Sequence, residues 1–267
     1  MAPLRVLLRA GKAEELGRLL QARLAGAGHQ VVREGRAAVV ADVAFAWPNS
    51  LLHDGRRWNG FGHFAPRHAQ ELIEVARSAG AEHVVLAGFA LAEAGPFQDP
   101  DLRPALEVEA ALRSSDLPLT VLRLGWLYGP RMQSLREYRT AFRLFRPYYG
   151  GPRTPQSWLH EEDAAAAILA AVEQGTRGGP FGVADERPAS NREVLDHFAW
   201  HVAHRPPISF PRLGLRLSPV REQQALVLER SSVVNVAAFR KATGWRPRYR
   251  TYVEGMAAIA EAWRSRR

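Results

Sequence analysis

The chain of 267 residues contains no cysteine and only two lysines, Lys12 and Lys241, so nearly all of its 36 basic residues are arginine. Without cysteine it has no disulfide, no thiolate metal site and no cysteine nucleophile. Its apolar runs fall far short of the ~20 residues that a membrane span requires. The opening MAPLRVLLRAG runs directly into a strand-like segment and carries no signal-peptide pattern. These absences make a cytoplasmic protein with no membrane partner the expectation. The histidines offer no metal-binding spacing, so no metal is expected either.

What is present is a large apolar complement, 46% of residues, enough for a substantial core. The net charge of +9 is unevenly placed. Residues 1–200 hold 23 basic and 23 acidic residues, and residues 201–267 hold 13 and 4. Such a surplus can attract an acidic ligand or nucleic acid. No nucleic-acid motif accompanies it, so a solvated arginine-rich surface is expected and a nucleic-acid partner is not.

Residues 6–32, VLLRAGKAEELGRLLQARLAGAGHQVV, read as strand, turn, helix and second strand. Leu16, Leu19, Leu20 and Leu24 have helical spacing over Ala13–Ala25, and Gly26 and Gly28 follow. AAVVADVAFAW reads as a third strand, Pro66–Ser78 as an amphipathic helix closed by Gly80, and HVVLAGFA as a strand. Pro104–Arg113 reads as a helix, and LPLTVLRLGWLYGP as one strand leading into a loop. This alternation predicts an α/β fold, a doubly wound, Rossmann-like parallel sheet covered on both faces. Residues 131–157 read as an irregular lobe. EEDAAAAILAAVEQG then reads as a helix, GGPFGVA as a strand, and SNREVLDHFAWHVAHRP as a helix opened by a Ser190/Glu193 capping box. Two short helices around a Gly-Trp-x-Pro turn close the chain. The expected organisation is a core over 1–130, with 131–267 completing it and forming a smaller lobe that covers the cleft at the strands' carboxyl ends.

LTVLRLGWLYGP, SWLHEEDAAAAILAAVE, GPFGVADERPASNREVLDHFA and FRKATGWRPRYRTYVEGM together resemble the extended short-chain dehydrogenase/reductase superfamily, the NAD-dependent epimerase/dehydratase group. SWLHEED, His204-Arg205-Pro206 and LVLERSSVV are also similar to a subgroup of sugar-epimerase-like proteins. The resemblance implies a dinucleotide at the first turn, a Ser/Tyr/Lys catalytic set and, by analogy, a homodimer.

Four requirements of that chemistry can be compared with the residues. The family's turn has glycines spaced G-x-x-G-x-x-G. Here Gly11 and Gly17 hold the ends and Glu14 the middle, where it brings bulk and negative charge to the pyrophosphate position. This leaves either a weakened cofactor site or a plain strand–helix turn. After the second strand, Arg33 and Arg36 favour the extra phosphate of NADP, held weakly or not at all. In the catalytic set a tyrosine phenol transfers a proton, a lysine four residues on lowers its pKa, and a serine holds the substrate oxygen. The match places Asp101 and Ala105 where the tyrosine and lysine belong, and Ala87 or Gly88 where the serine belongs. Neither lysine of the chain follows a tyrosine by four, so no Tyr-x-x-x-Lys exists. Finally, the few residues between HQVVRE and ADVAFAW leave no room for the strand and helix the family usually carries there.

Other groups are candidates for a site. Tyr128, His160 and Asp163 are the candidate catalytic residues, although a Tyr128 without a nearby lysine is expected to keep a pKa near ~10. Asp163 also has a structural reading, as an acid bonded to neighbouring backbone near a helix start. Arg123, Trp126, Tyr128, Tyr148 and Tyr149 fall where the family builds its substrate pocket. Trp47 is assigned to the cofactor side. With Trp58, Phe61, His53, Asp54, His63 and His68 it belongs to an aromatic loop, either a ligand clamp or a packed anchor. Glu107 and Glu109 point to different faces of a helix and are not expected to form an acid/base pair. The reading that follows is a family member without the Ser/Tyr/Lys set, keeping a cleft for a nucleotide or small-molecule ligand. The alternatives are an NAD(P)-dependent or cofactor-independent enzyme with a relocated acid/base set, and a basic nucleic-acid-associated protein.

Overall fold

Neighbouring residues of the central strands, such as Val6 and Leu7 or Val39 and Val40, are all buried. Side chains alternate between the two faces of a strand, so this sheet needs cover on both sides. The computed structural model describes residues 2–11, 14–44, 65–95, 103–217, 225 and 228–265. Trp47, His53, Asp54, Trp58, Phe61, His63, Asp101 and the side chain of Glu14 lie outside the described residues.

The elements run β1 (Arg5–Arg9), α1 (Glu14–Gly26), β2 (Gln30–Val32), β3 (Val39–Asp42), α2 (Ala65–Ala79), β4 (His83–Phe89), α3 (Arg103–Arg113) and β5 (Leu119–Leu124). They continue with β6 (Trp126–Tyr128), α4 (Gln133–Arg143), β7 (Trp158–His160), α5 (Glu161–Gln174), β8 (Gly178–Val183), α6 (Asn191–Ala203), α7 (Ala237–Thr243) and α8 (Tyr252–Arg264). The main sheet is parallel with order β2-β1-β3-β4-β5-β8. This is the expected doubly wound fold. Strand order reverses between β1 and β3, and a crevice forms at such a switch point. Residues 33–38 join β2 directly to β3, so the additional strand and helix are absent there.

On one face Leu16, Leu20 and Leu24 of α1 pack with α5 and Phe239 of α7 against Val6, Val39, Ala41, Val85 and Leu122. Each of those leucines contributes roughly 1.5–3 kcal/mol by burial. On the other face α2 and α3 cover Leu7, Val40, Val84, Leu86 and Val121. The Ser190/Glu193 capping box forms as expected at the start of α6.

Two expectations change. The single strand through LTVLRLGWLY breaks at Gly125, and β6 leaves the main sheet to pair in parallel with β7. A Cβ on Gly125 would lie 2.9 Å from the Ser157 carbonyl oxygen, so glycine is what lets the two backbones meet. The 131–157 lobe is also not wholly irregular. It contains α4, whose Leu135 and Phe142 are buried and Tyr138 half-buried. That i, i+3, i+7 spacing is the helical signal hidden among its arginines.

Candidate functional site

Two glycines bring α1 close to β1. Gly11 has φ of +51°, and a Cβ there would lie 2.9 Å from Ala44 Cβ. A Cβ on Gly17 would lie 2.5 Å from Ala10 Cβ. Both glycines therefore allow α1 to sit close against β1 and the end of β3. Beside them Asp42 is fully buried at the end of β3. Its Oδ1 accepts from Ala44 N at 2.9 Å, and its Oδ2 lies 3.1 Å from Arg9 Nη1 and 3.1 Å from His68 Nε2. Arg9 also reaches Glu71 at 3.4 Å. Sequence reasoning missed Arg9 and Asp42 and grouped His68 with the aromatic loop. His68 instead sits on α2 and helps fasten that helix to the switch point.

The N-terminus of α1 is acidic. Glu14 is its first residue. Glu15 pairs with Arg18 at 3.0 Å and lies 4.0 Å from Arg131. Arg131 also donates its backbone N–H to Glu161, the first residue of α5. Burial, and then the nearby Glu15, raise the Glu161 carboxyl to about 7. Gly129 makes room for it, since a Cβ there would strike the Glu161 side chain. The place where an anion would meet the helix dipole thus holds carboxylates of its own, offset by Arg131. Arg33 and Arg36 are exposed in the connection after β2.

Ala87 and Gly88 lie near the end of β4. A Cβ on Gly88 would lie 3.2 Å from Glu109 Oε1. Glu109, buried on α3, receives Arg123 Nε at 3.2 Å and Nη2 at 2.7 Å, and Arg123 Nη1 reaches Glu93 at 2.8 Å. Glu107 points outward to Arg103 at 3.0 Å, so the two glutamates diverge as helix geometry requires. Arg123 is accordingly held by two carboxylates. Next to Glu93 lies a cleft of about 370 Å³ lined also by Arg230, Ser231 and Val233. Its wall is fastened to β6 and β7: Trp126 Nε1 donates to Ser232 Oγ at 3.0 Å, and Val234 N donates to Ser157 Oγ at 3.1 Å. Arg230 and Ser231 belong to the LVLERSSVV run, whereas Glu93 carries no spacing that marks it in the sequence.

β6–β7 pairing brings Tyr128, His160 and Asp163 together, but inside the core. Tyr128 has no exposed surface. It lies between Trp158 and His160, with ring centroids 6.4 and 5.3 Å away, and under Gly255 of α8. Burial, then Asp185, push its phenol well above 10, which corrects the expectation of an ordinary value. His160 caps α5, its Nδ1 accepting from Glu162 N at 3.2 Å, and burial with Arg248 lowers it to about 3. Asp163 does bond backbone, but not neighbouring backbone: it accepts from Arg248 N at 2.8 Å and Tyr249 N at 3.0 Å. Trp126, Tyr148 and Tyr149 are buried as well. Tyr148 donates to Asp196 at 2.6 Å, and Tyr149 donates to Glu229.

No protein-family model matches the chain. A 3-diazoavenalumate denitrifying reductase of Streptomyces sp is 33% identical over 207 residues, spanning 69% of this chain and 67% of the relative. Among solved structures, the human epimerase family protein SDR39U1 with NADPH superposes with a TM-score of 0.75 at 20% identity, covering 96% of this chain and 99% of that one. The Bordetella bronchiseptica enzyme WbmG with NAD and UDP gives 0.74 at 17% identity, covering 99% and 95%. UDP-glucose 4-epimerase of Thermotoga maritima with UDP-glucose gives 0.70 at 14%, covering 98% and 99%. At these identities the structures share the fold.

Proposed function

The chain belongs to the short-chain dehydrogenase/reductase superfamily, in its NAD-dependent epimerase/dehydratase-like branch, and from that premise we propose that it is a reductase without the Ser/Tyr/Lys set, acting on small organic acceptors that need no protein acid. Gly11 and Gly17 support a dinucleotide site at the start of α1: Gly11 is left-handed and Gly17 lets α1 approach β1. The amides at the start of α1 would hold the pyrophosphate, and Arg33 and Arg36 the additional phosphate of NADP. A bound nicotinamide dinucleotide supplies hydride.

Among the described residues at the end of β4, none is placed to give a carbonyl oxygen a proton. The observation that carries this reading lies at the end of β4, where the match puts the serine: Gly88 has no side chain, and beside it Glu109 is tied to Arg123, in a chain that holds no Tyr-x-x-x-Lys. A ketone that takes hydride becomes an alkoxide and needs a proton in the transition state. A cationic acceptor does not. Hydride neutralises an iminium directly, and with an aryl diazonium it forms Ar–H as N₂ leaves, with charge and atoms balanced. The Streptomyces relative, named for reduction with loss of nitrogen from a diazo compound, supports that class.

NADPH oxidation by the purified chain, measured with an aryl diazonium and with ketone acceptors, tests the proposal. Consumption only with the diazonium is expected, and efficient ketone reduction would overturn it. One observation favours a second reading, a ligand-binding protein without turnover. Glu15 and buried Glu161 bring carboxylates to the start of α1, the end that would hold an anion. That reading predicts weak or no dinucleotide binding and no oxidation of NADPH with any acceptor.

A further inference from the structure

Three helices end together on one face: α4 at Arg143, α6 at Ala203 and α8 at Arg264. Between their ends lies a cleft of about 340 Å³. Arg139, Arg143, Arg205 and Arg264 line it with His201 and His204, and no acidic residue is among its lining residues. The converging helix ends account for part of this charge, because each carries about half a negative charge. Together they offset about 1.5 charges, which leaves the lining positive before either histidine is protonated.

Two of the arginines are fixed by the protein itself. Arg205 donates to the Phe142 and Arg143 carbonyls at 2.7 and 2.9 Å and stacks on Phe145. Arg139 lies 5.1 Å above the ring of Trp263, whose Nε1 donates to the Pro130 carbonyl at 3.0 Å. These contacts make rigid walls. Arg143 and Arg264 are exposed at the mouth. His201 sits 3.1 Å from His197, Nε2 to Nε2. Its protonation is disfavoured by burial, then by His197, Arg264 and His204.

We propose that this cleft is a second ligand site, for a small molecule carrying two or more negative charges on a phosphate or pyrophosphate group. A single carboxylate would leave most of the positive charge unbalanced, whereas a phosphate dianion matches it and accepts the forked guanidinium donors. The volume is near the lower end of small-molecule pockets, about 300–1,000 Å³. It therefore suits the anionic head of a small ligand.

The test is calorimetric titration with pyrophosphate, alongside NMR titration of the His201 imidazole. Saturable binding is expected. Arg143→Ala and Arg264→Ala should each weaken it about tenfold, a change of about 1.4 kcal/mol. Arg246→Ala removes the same charge from an exposed position outside the cleft and should leave binding unchanged. Bound dianion should move the His201 pKa upward, because it stabilises the imidazolium. The inference is overturned by absence of binding, by equal weakening in Arg246→Ala, or by an unmoved His201, which would place the anion elsewhere. It is also overturned if a single-stranded oligonucleotide binds and pyrophosphate does not compete.

Discussion

Arg123 grips Glu109 at two points, with Nε 3.2 Å and Nη2 2.7 Å from the carboxylate, directly beside the bare backbone of Gly88. The end of β4 thus faces a closed ion pair. Removing one member of a buried pair leaves an uncompensated charge, at about 3–5 kcal/mol. Glu93 still holds Arg123 at 2.8 Å, so Glu109→Ala should cost about 3 kcal/mol, the low end of that range. Urea denaturation measures it. A loss below about 1 kcal/mol would show that the pair is not buried in solution.

Glu14 opens α1, where the resemblance to the family would put the pyrophosphate. Wild-type affinity for NADP(H) and NAD(H) should be weak, and Glu14→Gly should strengthen it about tenfold, since a nearby like charge costs on the order of 1 kcal/mol in a wet site. Parallel titrations of the two proteins decide the point. Tight binding by the wild type, or no gain in the variant, contradicts it.

Glu161 gives stability a pH dependence. Its carboxyl is raised from 4.5 to about 7, so the native state binds more protons than the unfolded chain between those values. The contribution is complete below pH 4.5 and is lost as pH rises through 7. It amounts to about 3 kcal/mol at most. Glu161→Gln should therefore gain stability relative to wild type as pH increases across that window. His160 acts in the opposite sense. It is lowered from 6.5 to about 3, so its contribution is present above pH 6.5 and is lost on acidification. Denaturation midpoints from pH 4 to 8 separate the two slopes. A difference between Glu161→Gln and wild type that does not change with pH would contradict the assignment.

Local signals were legible and remote ones were not. The apolar spacing of α1, the Ser190/Glu193 box and the short join between β2 and β3 depend on neighbouring residues, and each appears in the structure. Tyr128 was misread because its exposure depends on Gly255, which covers it from a helix far along the chain. For the same reason the partners of Asp163, at 248 and 249, could not be found by looking near it. The break at Gly125 depends on the close approach of Ser157, and Arg123 meets Glu109 only after β5 and α3 have packed. The glycine pattern revealed the turn, while nothing in the spacing connected Arg9 to Asp42 and His68.

Ketones and sugar nucleotides should be poor acceptors. General acid–base groups of the missing kind contribute ~10²–10⁴-fold, so only trace oxidation of NADPH is expected with them. A rate that tracks purified protein across a carbonyl panel would contradict this.

The central claim is that this chain reduces acceptors that need no protein acid. Incubation with an aryl diazonium and NADPH carrying deuterium at the nicotinamide C4 tests it most directly, with mass analysis of the arene and a protein-free control. The account predicts deuterium at the carbon that carried nitrogen, with release of N₂ at a rate proportional to protein. An arene formed no faster than in the control, or equally efficient labelling of a ketone's carbinol carbon, would contradict it.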